Sequence, residues 1–204
     1  MQYERSHVWV RKQLDTIVVP VAKIPPRPTV AIADTTFWGR RYGVCVFRYA
    51  ELKKNIWWHE VVSEIMAHYY YAKKILETNG WIFTAAVVDG RRGLFNVFKG
   101  IPVQMCQFHQ IKIVIRYITT RPKTEAGKEL LALVLTLTKT NEEIFALALN
   151  AWFTKWEAFI NEKTVSTFIS GKTTSYHTHK SVYSAYNSLK RNLSYLFTYQ
   201  KYPE

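Results

Sequence analysis

The seven residues IFTAAVV, at positions 82–88, constrain the fold of this chain more than any other stretch. They are almost entirely apolar and lack the alternation of a strand with one face in water, which predicts a strand covered on both faces, as in parallel sheets. A parallel strand needs a crossover connection before it, and residues 63–79 supply one because apolar side chains repeat there at helical spacing. The fold class predicted is therefore α/β.

Three strand patterns precede this helix, and only short links separate them. They are Thr29–Thr36, Tyr42–Tyr49 and Asn55–Val62, all rich in β-branched and aromatic residues. Short links favour an antiparallel meander. After residue 88 the pattern continues with a short helix within 90–100, a strand at 102–106 and a helix at 107–119. The order predicts a mixed sheet, with three antiparallel strands followed by parallel strands, and helices packed against it.

The second half of the chain has no convincing strand pattern after Arg121-Pro122. Helices are predicted at 124–138, from 140 to about 159, and at 179–199. The prolines at 25, 26 and 28 indicate an extended linker before the first strand. The predicted organisation is an N-terminal segment at 1–28, a core at 29–121, a helical insertion at 122–176 and a late helix of the core at 177–204.

Aspartate is scarce in this chain, and two aspartates end predicted strands. Asp34 and Asp89 are two of only three in 204 residues. If the helix between them makes a right-handed crossover, both strands run in the same direction and their carboxyl ends meet at one edge of the sheet. Two carboxylates there suit Mg²⁺ or Mn²⁺, which prefer oxygen ligands. The alternative is that each aspartate only caps the turn that follows it.

Basic side chains are in large excess, which indicates a polyanionic partner. Lys and Arg number 28 against 15 Asp and Glu, a formal net charge of +13. Nucleic acid is the commonest partner of such a field, and an acidic protein is the alternative. The candidate contacts to nucleic acid are Arg40, Arg41, Arg91, Arg92, Lys112, Arg116, Lys190 and Arg191. Two of them follow Asp89-Gly90 directly, and arginine beside a metal-binding carboxylate suits a phosphate substrate.

Cys106 and His109 form a C-x-x-H pair that allows two interpretations. Such a pair could be half of a zinc site, but a tetrahedral site needs four ligands and the only other cysteine, Cys45, lies far away in the sequence. The plain alternative is a buried cysteine followed by a histidine that starts a helix. No apolar run approaches the ~20 residues of a membrane span, and the N-terminus lacks the apolar centre of a signal peptide. A cytoplasmic location is expected.

Three segments of the sequence together resemble the DDE transposases of bacterial insertion sequences, in the Mutator-like group. They are VAIADTTFWGRRYGVCVFR, VVDGRRGLFNVFKGIPVQMCQFHQ and SYHTHKSVYSAYNSLKRNLSYLF. The most specific part is D-G-x-x-G followed by P-V-Q-x-C-x-F-H. The resemblance runs from about Thr29 to the C-terminus and implies a ribonuclease H-like fold with a helical insertion before the last catalytic helix.

The resemblance also implies a chemistry. Asp34 and Asp89 match the first two catalytic acids, and Cys106 and His109 match the family's C-x-x-H signature beside the site. The implied mechanism is two-metal phosphoryl transfer with Mg²⁺ or Mn²⁺. The implied partners are double-stranded DNA, namely terminal inverted repeats and target DNA, and further copies of the complete chain. The implied location is the bacterial cytoplasm, on the nucleoid.

The chain departs from the family pattern at both ends. The family's third acid is a glutamate in an N-T-x-S-x-E-G-like block, and this sequence stops before any such block; the family's N-terminal zinc ribbon is missing too. Glu157 is the less poor substitute among the glutamates of the insertion. We therefore expect a truncated core that is inactive or weakly active alone. The alternatives are a relic that binds DNA or full-length transposase without catalysis, and a hydrolytic nuclease of the same fold.

Overall fold

The computed structural model describes residues 6, 8–9, 12–13, 16, 24–39, 42–167 and 173–202, with only the backbone of Arg92. Five strands form one mixed sheet: β1 (Pro28–Trp38), β2 (Tyr42–Tyr49), β3 (Lys54–Val61), β4 (Ile82–Val88) and β5 (Val103–Met105). Their order is β3-β2-β1-β4-β5. The first three are antiparallel neighbours, whereas β4 runs parallel to β1 and β5 parallel to β4. The prediction of an α/β fold with a mixed sheet is confirmed.

Two helices cover one face of this sheet and close the first hydrophobic core. They are α1 (Met66–Thr78) and α2 (Arg92–Val97). In this core the ring of Phe47, in β2, contacts the rings of Phe83 in β4, Tyr69 and Phe98. All four rings are buried. The apolar positions of the predicted crossover helix are thus the ones that face the sheet.

Four longer helices build a second core beside β5. They are α3 (Gln107–Ile118), α4 (Glu125–Leu135), α5 (Glu142–Asn161) and α6 (Lys180–Leu196). Gln110 of α3 is fully buried and joins α3 to α6, because its amide donates to Ser188 Oγ at 2.9 Å and accepts from Asn192 Nδ2 at 2.8 Å. Phe95 packs against both cores.

The prediction that residues 122–176 are entirely helical is wrong. Between α5 and α6 the chain forms an antiparallel hairpin, β6 (Lys163–Thr167) and β7 (Thr173–His177), which is a separate two-stranded sheet. Threonine and valine favour strands, but none of the paired residues is buried, so the sequence shows no apolar–polar alternation there. A strand without a buried face leaves no hydrophobic signal.

Some of the sequence predictions lie outside the described residues. Most of the N-terminal segment 1–28 does, and so do Arg40, Arg41 and the side chain of Arg92. In the described part of the chain, no helix is long and apolar enough to cross a membrane.

Candidate active site

The two predicted aspartates lie at the same edge of the sheet. β1 and β4 pair in parallel, with Ile32 opposite Val87, and Asp34 and Asp89 each follow their member of that pair by two residues. The adjacent strand β5 ends at the same level, because the amide of Cys106 donates to the carbonyl of Val88 at 2.8 Å. Asp89 and Cys106 follow the ends of β4 and β5, whereas Asp34 lies within β1, which continues to Trp38 beyond its pairing with β4. The prediction that Asp34 ends its strand is therefore wrong, but the parallel register still brings it to the edge that carries the other two.

His109 lies against Asp34 from the first turn of α3. Its Nε2 atom is 3.9 Å from Asp34 Oδ1. Burial raises the pKa of Asp34 and the charge of Asp89 raises it further, while His109, the Thr35 amide and Lys112 lower it; the net shift is upward. Asp34 and Asp89 are thus close enough to repel each other when both are ionised.

Cys106 and His109 perturb each other. Burial raises the pKa of the Cys106 thiol, but the hydrogen bonds of the thiol with the His109 ring and with the amides of His109 and Phe108 outweigh burial and lower it. The interaction with the Cys106 thiol is the largest cause that raises the pKa of His109, and the charge of Asp34 raises it further. Nδ1 of His109 is buried, and no described residue makes a hydrogen bond of regular geometry to it. The contact between the Cys106 thiol and the His109 ring is therefore not a well-formed hydrogen bond. The pair favours a cationic ring beside Asp34.

Glu64 is a third carboxylate at this edge, and the sequence analysis did not identify it. Its side chain is only 9% exposed. Burial raises its pKa, the hydrogen bond from Tyr69 and the charge of Arg91 lower it, and the charges of Asp89 and Asp34 raise it; the net shift is upward. Glu64 therefore lies within electrostatic reach of both aspartates.

A signal for Glu64 was present in the predicted meander. In an antiparallel β1-β2-β3 arrangement β3 runs in the same direction as β1, so both strands end at the same edge of the sheet. Glu64 follows the end of β3 at Val61 by three residues. The strand order could have placed this carboxylate at the same edge as Asp34, two strands away, but not its contact with Arg91.

Arg91 bridges two of the three carboxylates. Its Nη2 atom lies 2.8 Å from Glu64 Oε2 and its Nε atom 3.8 Å from Asp89 Oδ2, and its amide donates to Asp89 Oδ1 at 3.0 Å. The guanidinium is half exposed, so it is held at the edge of the site rather than buried in it. The turn at residues 89–91 thus holds a carboxylate and a cation together.

Gly90, in this turn, and Gly93, in the first turn of α2, allow close packing under the site. A Cβ atom added to Gly93 would lie 2.6 Å from Met66 Cγ on α1, and one added to Gly90 would overlap the end of Met105 on β5. The chain here can approach α1 and β5 this closely only because both positions lack a side chain. The spacing D-G-x-x-G therefore has a steric reason in this fold.

A hydrogen-bonded chain links Glu64 to the strand that carries Asp34. Tyr69 is fully buried; its hydroxyl donates to Glu64 Oε1 at 2.7 Å and is 2.7 Å from Thr35 Oγ1. Thr35 follows Asp34, and its amide is hydrogen-bonded to the Asp34 carboxylate. Buried polar groups joined in this way fix the positions of the side chains that they connect.

The other predicted cations fall into two groups. Lys112 lies near the aspartates, since its charge lowers the pKa of Asp34, and its Nζ atom is 4.3 Å from the centre of the Phe108 ring. Arg116 is in the last turn of α3, and Lys190 and Arg191 are exposed on α6. The structure therefore brings Arg91 and Lys112 to the site and leaves Lys190 outside it, while Arg191 lines a pocket together with Gly90. Glu157, on α5, is exposed and acts on the pKa of Tyr186.

Asp34 and Asp89 are the carboxylates at this edge that could hold a divalent metal ion. Among the described residues, no group of three or more His, Cys, Asp and Glu side chains could hold a metal ion. Glu64 is engaged by Arg91 and Tyr69. Mg²⁺ usually keeps several waters and binds through one or two carboxylates together with substrate phosphates, and the two aspartates match that donor set.

No protein-family model matches this chain, and no curated protein matches it. The resemblance to DDE transposases therefore rests on the motifs of the sequence alone.

Proposed function

We propose that this chain is the catalytic core of a metal-dependent enzyme that cuts and joins DNA strands, of the DDE transposase type. The observation that carries the proposal is the position of Asp34 and Asp89 at one level on adjacent parallel strands, with Arg91 beside them. Carboxylates that hold a divalent ion and a cation that contacts the phosphate are among the parts that metal-dependent phosphoryl transfer uses. The net charge of +13 supports a nucleic-acid substrate.

The sheet order supports the finer proposal of a ribonuclease H-like fold. The order β3-β2-β1-β4-β5, with an antiparallel meander followed by two parallel strands, is compatible with that fold. The segment between the core and the late helix α6 would then be an insertion made of helices and one hairpin. Terminal inverted repeats as substrate, and assembly of several copies, are proposed by resemblance.

In this mechanism Asp34 and Asp89 would hold the ion. When bound, the ion activates water or a 3′-hydroxyl and stabilises the leaving oxygen. His109 would favour the ionised form of Asp34, because its ring lies 3.9 Å away and its charge lowers the pKa of that carboxyl against the effect of burial. Glu64 is a positioning residue, since it holds the Arg91 guanidinium next to Asp89. Arg91 would contact the phosphate as a planar, charged donor.

A second candidate is a DNA-binding chain without catalysis. One observation favours it: Glu64 is engaged by Arg91, and the described residues contain no group of three or more side chains that could hold a metal ion. Under this candidate, DNA affinity does not depend on Mg²⁺ or on the aspartates.

The test measures metal binding and cleavage separately, because weak cleavage is expected. At about ten times its Kd, Mn²⁺ should stabilise the fold by about 1.4 kcal/mol, which raises the Tm by about 3–5 °C. Asp34→Asn and Asp89→Asn should each abolish this shift and any nicking of plasmid DNA. The matched control is Glu77→Gln, which removes an exposed carboxylate that pairs with Lys73 on α1. A wild-type chain that shows neither a Mn²⁺-dependent shift nor nicking, yet binds DNA, would establish the second candidate.

A further inference from the structure

A pocket of about 490 Å³ opens between α2 and α6, next to the candidate active site. Its lining comprises Gly90, Phe95, Asn96, Arg191, Asn192 and Tyr195. Gly90 follows Asp89 directly, so one wall of the pocket continues the loop that carries the second aspartate. The volume lies in the range of pockets that hold a small ligand. We call this the α2–α6 pocket.

Among the described side chains that line the α2–α6 pocket, one is charged, and it is a cation. Arg191 is exposed, and its side chain has no ion pair or hydrogen bond with any residue of the described part of the chain. Arg91, by contrast, is already bound to two carboxylates. A guanidinium without a counter-charge presents its planar donors to an anionic ligand, and phosphate is the anion that it fits best.

Two amides add hydrogen-bonding capacity to the pocket. Asn192 is only 7% exposed and is held in place by the bond from its Nδ2 atom to Gln110 Oε1. This bond leaves the carbonyl oxygen of Asn192 as an acceptor for a ligand. Asn96 is exposed on α2 across the pocket, and its side chain has no bond within the described residues. Fixed amides can recognise the edge of a planar polar group.

An aromatic pair forms the remaining wall. The ring centres of Phe95 and Tyr195 are 4.5 Å apart, with planes inclined by 50°. Phe95 is packed into both cores, so it supports Tyr195, which is 43% exposed. An exposed ring on a rigid support is a stacking platform for a nucleobase.

We propose that the α2–α6 pocket binds one nucleotide of the nucleic-acid strand next to the phosphate at Asp89. Arg191 contacts the phosphate of that nucleotide, Tyr195 stacks on its base, and the amides of Asn96 and Asn192 contact the edge of the base. The proposal rests on the nucleic-acid substrate of the proposed function. It adds a position where a single nucleotide leaves the duplex and is held by the protein.

The test compares pocket variants with neighbours that change the same chemistry outside the pocket. Arg191→Gln is matched by Lys190→Gln, which removes a positive charge from the preceding, exposed position of α6. Tyr195→Leu is matched by Tyr176→Leu, which removes a 49% exposed ring from β7. All four positions are at least partly exposed, and the melting temperature of each variant checks that it folds.

The first readout is fluorescence anisotropy with a labelled duplex that carries a short single-stranded 3′ end. Arg191→Gln and Tyr195→Leu should each weaken binding about tenfold, because charge-assisted bonds and base stacking are of that strength. Lys190→Gln and Tyr176→Leu should weaken it less than about threefold, as single surface charges and exposed rings do. The second readout is an NMR titration with dAMP, which should shift the amide signals of Gly90 and Asn96 in the wild-type chain but not in Arg191→Gln.

The outcomes separate this proposal from the proposed function. If Arg191→Gln loses no more affinity than Lys190→Gln, or if dAMP shifts neither amide, the pocket proposal is overturned while the metal-dependent chemistry at Asp34 and Asp89 stands. If the pocket variants behave as expected but Mn²⁺ has no effect on the wild-type chain, the nucleotide site stands and the catalytic proposal fails. If the wild-type chain binds neither DNA nor dAMP, both fall.

Discussion

Removing the hydroxyl of Tyr69 should destabilise the fold substantially, because this one atom joins Glu64 to Thr35. The side chain is 0% exposed, and both of its bonds are 2.7 Å long. Tyr69→Phe keeps the ring and loses both bonds. The bond to Thr35 is neutral and contributes about 0.5–1.5 kcal/mol, and the bond to the carboxylate of Glu64 about 1.5–3 kcal/mol. Arg91 still pairs with Glu64, so we expect the lower part of the sum, a loss of about 2–3 kcal/mol.

Urea unfolding, with the fluorescence of the tryptophans as the signal, measures this loss, which corresponds to a fall in Tm of about 5–10 °C. The matched control is Tyr70→Phe, because Tyr70 is the next residue of α1 and is 48% exposed. Its hydroxyl should contribute less than about 0.5 kcal/mol. A double-mutant cycle with Glu64→Gln should give a coupling energy of about 1 kcal/mol or more between the two side chains. A Tyr69→Phe protein as stable as the Tyr70→Phe protein would refute the hydrogen-bonded chain.

Two further predictions concern the site and its support. In a chelator, Asp34→Asn should stabilise the fold at pH 7 by less than about 1 kcal/mol, because burial raises the pKa of this half-exposed carboxyl above its ordinary value of 3.8. The free-energy cost of ionised Asp34 in the folded chain is fully present above the pKa that Asp34 has there. The stability gained by Asp34→Asn should therefore shrink as the pH falls through that pKa and be absent below 3.8, and thermal melts across this pH range measure it. Gln110→Leu should cost about 2–3 kcal/mol in urea unfolding, since it leaves the buried amide of Asn192 without a partner. Unchanged stability in Gln110→Leu would show that water replaces the lost bonds.

The sheet was predictable from the sequence because its strands carry distinct burial patterns. IFTAAVV pairs in parallel with β1 and β5, as predicted. The prediction that both of its faces are covered is wrong, because Phe83, Ala86 and Val88 are buried whereas the opposite face is open, with Ile82 59% exposed. The helix before it has one apolar stripe, which packs on the sheet through Tyr69, Ala72 and Leu76. Hydrophobic periodicity reports burial, so elements that are buried on a defined face are the ones that it identifies.

The hairpin and Glu64 were missed for physical reasons of different kinds. Val165, in β6, is 64% exposed, and the strand pairs only with β7, so burial gave no pattern to detect. Glu64 belongs to no strand or helix, and its role comes from contacts with Arg91, 27 residues further along the chain. The α2–α6 pocket has the same origin, since Asn96 and Arg191 are joined only by the packing of two helices. Contacts between distant segments depend on the fold and carry no local signature.

Under the proposed function, the charges at the site explain why Arg91 and Glu64 act together in binding phosphate and metal. Three carboxylates at one edge would repel each other, and Arg91, Lys112 and the favoured cationic form of His109 offset them. A phosphate that binds Arg91 takes this cation away from Glu64 and Asp89 and leaves their charges less compensated. A divalent cation next to Asp89 then binds more favourably than it does in the free chain, because it replaces the charge that the phosphate has removed. Substrate and metal thus assist each other, and by linkage the effect is reciprocal.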